Sequence, residues 1–214
     1  MSEPADAPVV IRLGTAADAD AAARLHAGLI TEGFLAHLGP RFLGHLYRCI
    51  AAGPDSFLLV AAVGVAETAA RAAAPTDPVV GFVAGSLDLR ALYRRFALRH
   101  GPAAAVTSLP RLLAALPRVW ETLRHGAGAQ EPGAGDAELL SIAVDPAWRG
   151  RHVGALLVEG FLDELAGRGV DTSQVVVGAD NAAAVALYGR AGFIRVRTFE
   201  LHRGTPSLLM RRPG

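Results

Sequence analysis

Residues 137–167, "AELLSIAVDPAWRGRHVGALLVEGFLDELAG", constrain the fold more than any other stretch. An apolar strand pattern runs to Asp145-Pro146. After a basic turn, Val153, Leu156, Leu157, Phe161, Leu162 and Leu165 recur at helical spacing. Between them, Arg149-Gly150-Arg151-His152-Val153-Gly154 turns strand into helix, with Gly167 and Gly169 as candidate helix stops. The first amides of such a helix lack intrahelical acceptors and sit at the positive end of its dipole, which suits a phosphate. Glycine allows a ligand to approach the main chain, and arginine adds bidentate contacts. On residues alone, a helix start with solvent-facing arginines fits equally well. Neither G-x-x-x-x-G-K-[ST] nor G-x-G-x-x-G is present, which removes the mononucleotide and dinucleotide cradles.

The remaining chain supplies matching elements. "VVIRLGT" alternates as a strand, and a helix follows with Thr15 as candidate cap and Asp18 in its first turn. After Pro40, Phe42, Leu43, Leu46, Tyr47 and Ile50 recur at helical spacing as far as Gly53-Pro54. "SFLLVAAV" and "PVVGFVAGSLDL" form two strands, most simply a hairpin. From Ala91 to Gly126 the pattern is helical but cut by Pro102, Pro110 and Pro117, and a Gly/Pro/Ala linker follows at about 127–136. "SQVVVGA", "DNAAAVALYGRAGF", "IRVRTFELHR" and "SLLMRR" then predict strand, helix, strand and strand. The order is an α/β layout in which strands pair largely with sequence neighbours and helices cover the faces.

Length and composition set outer limits. The 214 residues suffice for one cored domain over 1–214 carrying an insertion. The net charge of +1 gives no reason to expect a nucleic-acid partner. All 21 basic residues are arginine, and between Arg90 and His125 seven arginines face one acid, Glu121. That segment could contact an anionic surface or a second subunit, or simply be a solvated helix face. Cys49 stands alone and reads as a core residue. The chain shows no leader pattern and no membrane-length apolar run, so a cytoplasmic location is expected. The histidines lack H-x-x-x-H and H-E-x-x-H spacing, so no metal site is expected.

"LLSIAVDPAWRGRHVGALL" resembles the cofactor-binding motif of the GNAT acetyltransferase superfamily, Q/R-x-x-G-x-G/A, with Arg149 and Gly154 in place and His152 where the signature has glycine. "NAAAVALYGRAGF" is similar to the family element N-x-x-A-x-x-L-Y-x-x-x-G-F, carried by Asn181, Ala184, Leu187, Tyr188, Gly192 and Phe193. The resemblance implies a central mixed, mostly antiparallel sheet flanked by helices, with the helical insertion between the third and fourth strands. It implies an N-acetyltransferase that moves acetyl from acetyl-CoA to a primary amine by direct transfer. The arm of acetyl-CoA would lie along Ile142, Ala143 and Val144. Its pyrophosphate would meet the amides of Arg151, His152, Val153, Gly154 and Ala155, with Arg149 and Gly150 completing the loop. A residue entering a helix needs no positive φ, so His152 is expected to crowd this loop without abolishing binding.

By the same resemblance Tyr188 is the general acid for the departing thiolate, and Glu138 the general base, acting directly or through water. A backbone N–H near Ala143 or Val144 would polarise the carbonyl. Asn181 caps its helix or touches the pantetheine. Glu32, Phe34 and Asp88 would line the acceptor site. The expected acceptor is a small-molecule amine. The alternatives are a protein N-terminus and a CoA-binding module without turnover.

Overall fold

The computed structural model describes residues 7–30, 39–64, 77–99, 136–202 and 205–214. In chain order these form β1 (Val9–Leu13), α1 (Ala19–Leu29), α2 (Gly39–Ala51), β2 (Ser56–Val63), β3 (Val79–Ser86) and a helix α3 at 89–99. Then come β4 (Ala137–Val144), a 3₁₀ turn (Pro146–Trp148), α4 (Val153–Gly167), β5 (Ser173–Gly178), α5 (Ala182–Arg190), β6 (Ile194–His202) and β7 (Thr205–Arg212). The seven strands make one sheet in the order β1-β2-β3-β4-β5-β7-β6. Every neighbouring pair is antiparallel except β4 with β5.

Strand patterning explains why the sheet is covered on both sides. In β2, Phe57 and Leu59 face α4 while Leu58 and Val60 face α1 and α2, and all four are buried. A strand apolar at every position is stable only between two helical layers. The α4 layer adds Leu157, Phe161 and Leu165, and the opposite layer adds Phe42, Leu43, Tyr47 and Ile50. Gly85 of β3 is required by packing, because a Cβ there would lie 2.5 Å from Phe57 and 2.8 Å from Phe161.

Two differences from the sequence reading concern ion pairs. The first helix begins at Ala19 rather than after Thr15, because residues 15–18 close a turn of their own. Asp18 reaches back to accept from the Thr15 amide at 2.8 Å and the Thr15 hydroxyl at 3.0 Å. It also receives both terminal nitrogens of Arg12, at 2.9 and 2.8 Å. Burial pulls its carboxyl up, but the hydrogen bonds from Arg12 and Thr15 outweigh that and hold it below the usual range. The second is Arg95, which the sequence places among the anion-attracting arginines. It is instead turned inward, 3.3 Å from Asp55 and 2.9 Å from the Ser56 hydroxyl. The rest of the expected insertion and most of its linker, 100–135, lie outside the described residues.

His26 is buried on the inner face of α1, stacked over Phe82 at 6.5 Å. Burial pushes its pKa from 6.5 down to about 4. The unfolded chain binds this proton below pH 6.5 and the folded chain does not until about pH 4. His26 therefore contributes stability in full above pH 6.5, and that contribution erodes as the pH falls towards 4, by about 3 kcal/mol in total. Urea unfolding at pH 7 and pH 4.5 is expected to show this loss, and His26→Gln is expected to flatten it.

Candidate active site

β4 carries one extra residue against β3. Leu139 pairs with Gly85 and Ser141 with Ala84, so Leu140 forms a bulge. On its other side β4 pairs with β5 only at Ala137 with Ser173, Glu138 with Gln174, and Leu139 with Val175. Beyond that point each strand keeps its outer partner: β4 stays on β3 as far as Val144, and β5 stays on β7 as far as Gly178. The inner edges at 140–144 and 176–178 therefore diverge as a V. The closed end is fastened by Asp136, which accepts from Thr172 at 2.6 Å and lies 2.7 Å from Arg211.

At the open end Asp145 caps the 3₁₀ turn through the Ala147 amide at 2.9 Å. Trp148 is buried beneath the Arg151 guanidinium, 4.8 Å away. The first intrahelical bond of α4 joins the Leu156 amide to the His152 carbonyl at 3.0 Å. Helix geometry thus leaves the amides of Val153, Gly154 and Ala155 without an intrahelical acceptor, at the positive end of the helix dipole. Arg149 and Gly150 are exposed beside them. A Cβ on Gly154 would meet Leu187 at 3.6 Å and Val144 at 4.0 Å, so α5, β4 and the amide cluster converge here. This combination of amides, arginines and glycines fits a phosphate group.

His152 corrects the sequence reading. It is the non-glycine residue with positive φ among those described, at φ 60 and ψ 7. The chain enters α4 through a left-handed residue, so the family's glycine answers a backbone need and His152 carries a Cβ where one is disfavoured. His152→Gly is expected to stabilise the protein by about 1 kcal/mol, read as a higher urea midpoint with unchanged m.

The other candidates lie as follows. Ile142, Ala143 and Val144 lie on the diverging stretch of β4, with Ala143 buried. Asn181 caps α5, its side-chain oxygen accepting from the Ala184 amide at 3.1 Å. Tyr188 is 3% exposed, packed on Phe193, and burial pushes its phenol well above the usual range. Glu138 alternates with Ala137 and Leu139, which belong to the α4 side, so it faces the opposite helical layer near Tyr93. It is half-buried rather than solvated. Burial raises its pKa, and a hydrogen bond with the Gln174 side chain partly offsets this. Tyr188 and Glu138 thus lie on opposite sides of the sheet, and Glu138 belongs to the paired stretch just before the V opens.

Asp88 is exposed and caps α3 through the Ala91 amide at 2.9 Å. Glu32 and Phe34 lie outside the described residues. On the α1 side, an open groove of about 340 Å³ runs beside the end of β4, with Arg24 and Asp145 among its lining residues. Among the described residues no group of three or more His, Cys, Asp or Glu is placed to hold a metal ion. Nor is any described helix long and apolar enough to cross a membrane.

One set of polar groups has no place in the sequence motifs. His26 Nδ1 lies 2.6 Å from the Tyr47 hydroxyl, which lies 2.9 Å from the Ser141 hydroxyl. The signal for it was a histidine in the buried stripe of α1 formed by Ala19, Ala22 and Ala23.

Known proteins share parts of this sequence and the fold. The sequence pattern of the Acetyltransferase (GNAT) family matches residues 117–193. A [ribosomal protein bS18]-alanine N-acetyltransferase from Salmonella typhimurium is 50% identical over 58 residues, 27% of this chain and 39% of that protein. A mycothiol acetyltransferase from Clavibacter michiganensis is 48% identical over 59 residues, 28% of this chain and 19% of that protein. The matched stretch thus spans about two fifths of the bS18 relative's length and less of the mycothiol relative's. A GCN5-related N-acetyltransferase from Kribbella flavida superposes with a TM-score of 0.61 at 19% identity, covering 96% of this chain and 97% of that one. The Escherichia coli ribosomal-protein-S18-alanine N-acetyltransferase gives 0.58 at 18%, covering 96% and 94%. The GNAT family pattern thus lies on the α4 and α5 elements, and the fold across the sheet is that of GNAT N-acetyltransferase structures.

Proposed function

We propose that the chain is an N-acetyltransferase, moving an acetyl group from acetyl-CoA to a primary amine in a ternary complex. The observation that carries this reading is the diverging edge of β4 ending in the amide cluster of α4. Acetyl-CoA, when bound, supplies the thioester that is split. The amides of Val153, Gly154 and Ala155, with Arg149 and Arg151, counter the pyrophosphate charge. The unpaired edge at 140–144 offers main-chain hydrogen bonds to the amide-bearing arm. Glu138 takes a proton from the ammonium form of the acceptor, directly or through water, and its raised pKa makes it a better base. Tyr188 remains protonated at neutral pH and gives its proton to the departing sulfur, so CoA leaves as the thiol, and the second proton that the nitrogen loses after attack restores the phenol.

The first acceptor class is a small-molecule amine, which the mycothiol relatives favour. The second is a protein N-terminal amine, which the bS18-alanine relatives favour. The test is thiol release from acetyl-CoA by the full chain, with small primary amines on one panel and alanine-starting peptides on another. Release on either panel, with the acetylated product seen by mass spectrometry, supports the reading and names the class. Tight CoA binding with no release on either panel would make the chain a binding module.

A further inference from the structure

We propose that the Ser141 hydroxyl is a catalytic hydrogen-bond donor to the acyl oxygen, held in that role by Tyr47 and His26. This rests on the acetyltransferase reading above. Ser141 is two residues past the last β4–β5 pair, where the V opens, next to the Leu140 bulge that redirects the strand. It is half-buried, on the same side of the sheet as Glu138. A ligand whose phosphates lie at the start of α4 and whose arm follows β4 inward brings its far end to this point.

The hydrogen-bond order follows from counting protons. His26, Tyr47 and Ser141 share two short contacts. A Tyr47 oxygen that accepted from both neighbours would leave its own buried proton without an acceptor among the described residues, so the chain runs either from histidine to serine or from serine to histidine. Among the described residues, His26 Nε2 is buried and has no hydrogen-bond partner. If the chain ran towards histidine, Nε2 would carry the ring proton and become an orphaned buried donor, the rarer kind of unsatisfied group. Placing the proton on Nδ1 removes that defect. His26 then donates to Tyr47, Tyr47 donates to Ser141, and the serine proton is left over for a group in the V. Burial keeps the Tyr47 phenol protonated and the His26 ring neutral, so the chain aligns a donor and does not carry the amine proton away. A donor fixed where negative charge develops costs no reorganisation during the reaction.

The test uses the full chain, measuring turnover together with the separate affinities for acetyl-CoA and CoA. Ser141→Ala is expected to lower kcat by about 100-fold with little change in CoA affinity, while Ser141→Thr retains most activity. Tyr47→Phe, which keeps the ring in the core, is expected to lower kcat by about 10-fold and to add little in the double variant. ¹⁵N shifts should place the His26 proton on Nδ1. Wild-type protein should prefer acetyl-CoA to CoA, and Ser141→Ala should lose that preference. If wild type turns over nothing yet shows this preference and its loss, the acetyltransferase reading fails and the Ser141 contact stands. Activity within twofold of wild type in Ser141→Ala, an unchanged preference, or a proton on Nε2 would overturn the inference.

Discussion

Tyr188→Phe is expected to lower kcat by about 100-fold or more while leaving CoA affinity within a factor of two. General acid assistance is worth about 10² to 10⁴ in rate. The substitution removes only the proton donor, because the ring packs on Phe193 and is nearly inaccessible. The phenol is held above its usual range by burial, so it stays protonated through neutral pH and should contribute no basic limb to the wild-type profile below its titration. Steady-state kinetics paired with calorimetric CoA titration separates the two effects. Turnover unchanged in Tyr188→Phe would leave the residue a packing group.

Asp18→Ala is expected to cost about 3 to 5 kcal/mol of folding stability, the range for breaking a buried ion pair from one side. The Asp18 side chain is 1% exposed and Arg12 is 12% exposed, so the arginine would be left with little water to replace its partner. The turn at 15–18 would also lose the acceptor for the Thr15 amide and hydroxyl. Replacing both, with Arg12→Leu added, should recover part of the loss, because the half-buried charge that lost its nearest partner is then removed as well. Because the folded carboxyl is depressed, this contribution is whole above the unfolded pKa near 3.8 and disappears only as pH falls through the lower folded value. Urea unfolding of the single and double variants at pH 7 measures both parts.

Where local chemistry dictates structure, the sequence was legible. The apolar run bounds β2 at Ser56–Val63, and capping of α5 is one of the two roles that residue type and place give Asn181. The stop after α4 was read from Gly167 and Gly169, and Gly169 takes φ +73. What escaped were features that depend on the register between distant segments. The bulge at Leu140 exists only in the pairing with β3, and the opening of the V only in where the β5 pairing ceases. The contact of Tyr47 with Ser141 spans 94 positions of sequence and has no local signature. The conformation of His152 escapes the sequence for a local reason, since a motif glycine can answer either ligand approach or backbone conformation. The pattern alone does not separate the two.

On the proposed function, the V between β4 and β5 and the start of α4 together hold acetyl-CoA. Amide hydrogen exchange on the full chain, with and without acetyl-CoA, tests it most directly. Protection is predicted at 140–144 along the free edge of β4 and at Val153, Gly154 and Ala155, with β1 unaffected. Unchanged exchange at both places under saturating acetyl-CoA would contradict it.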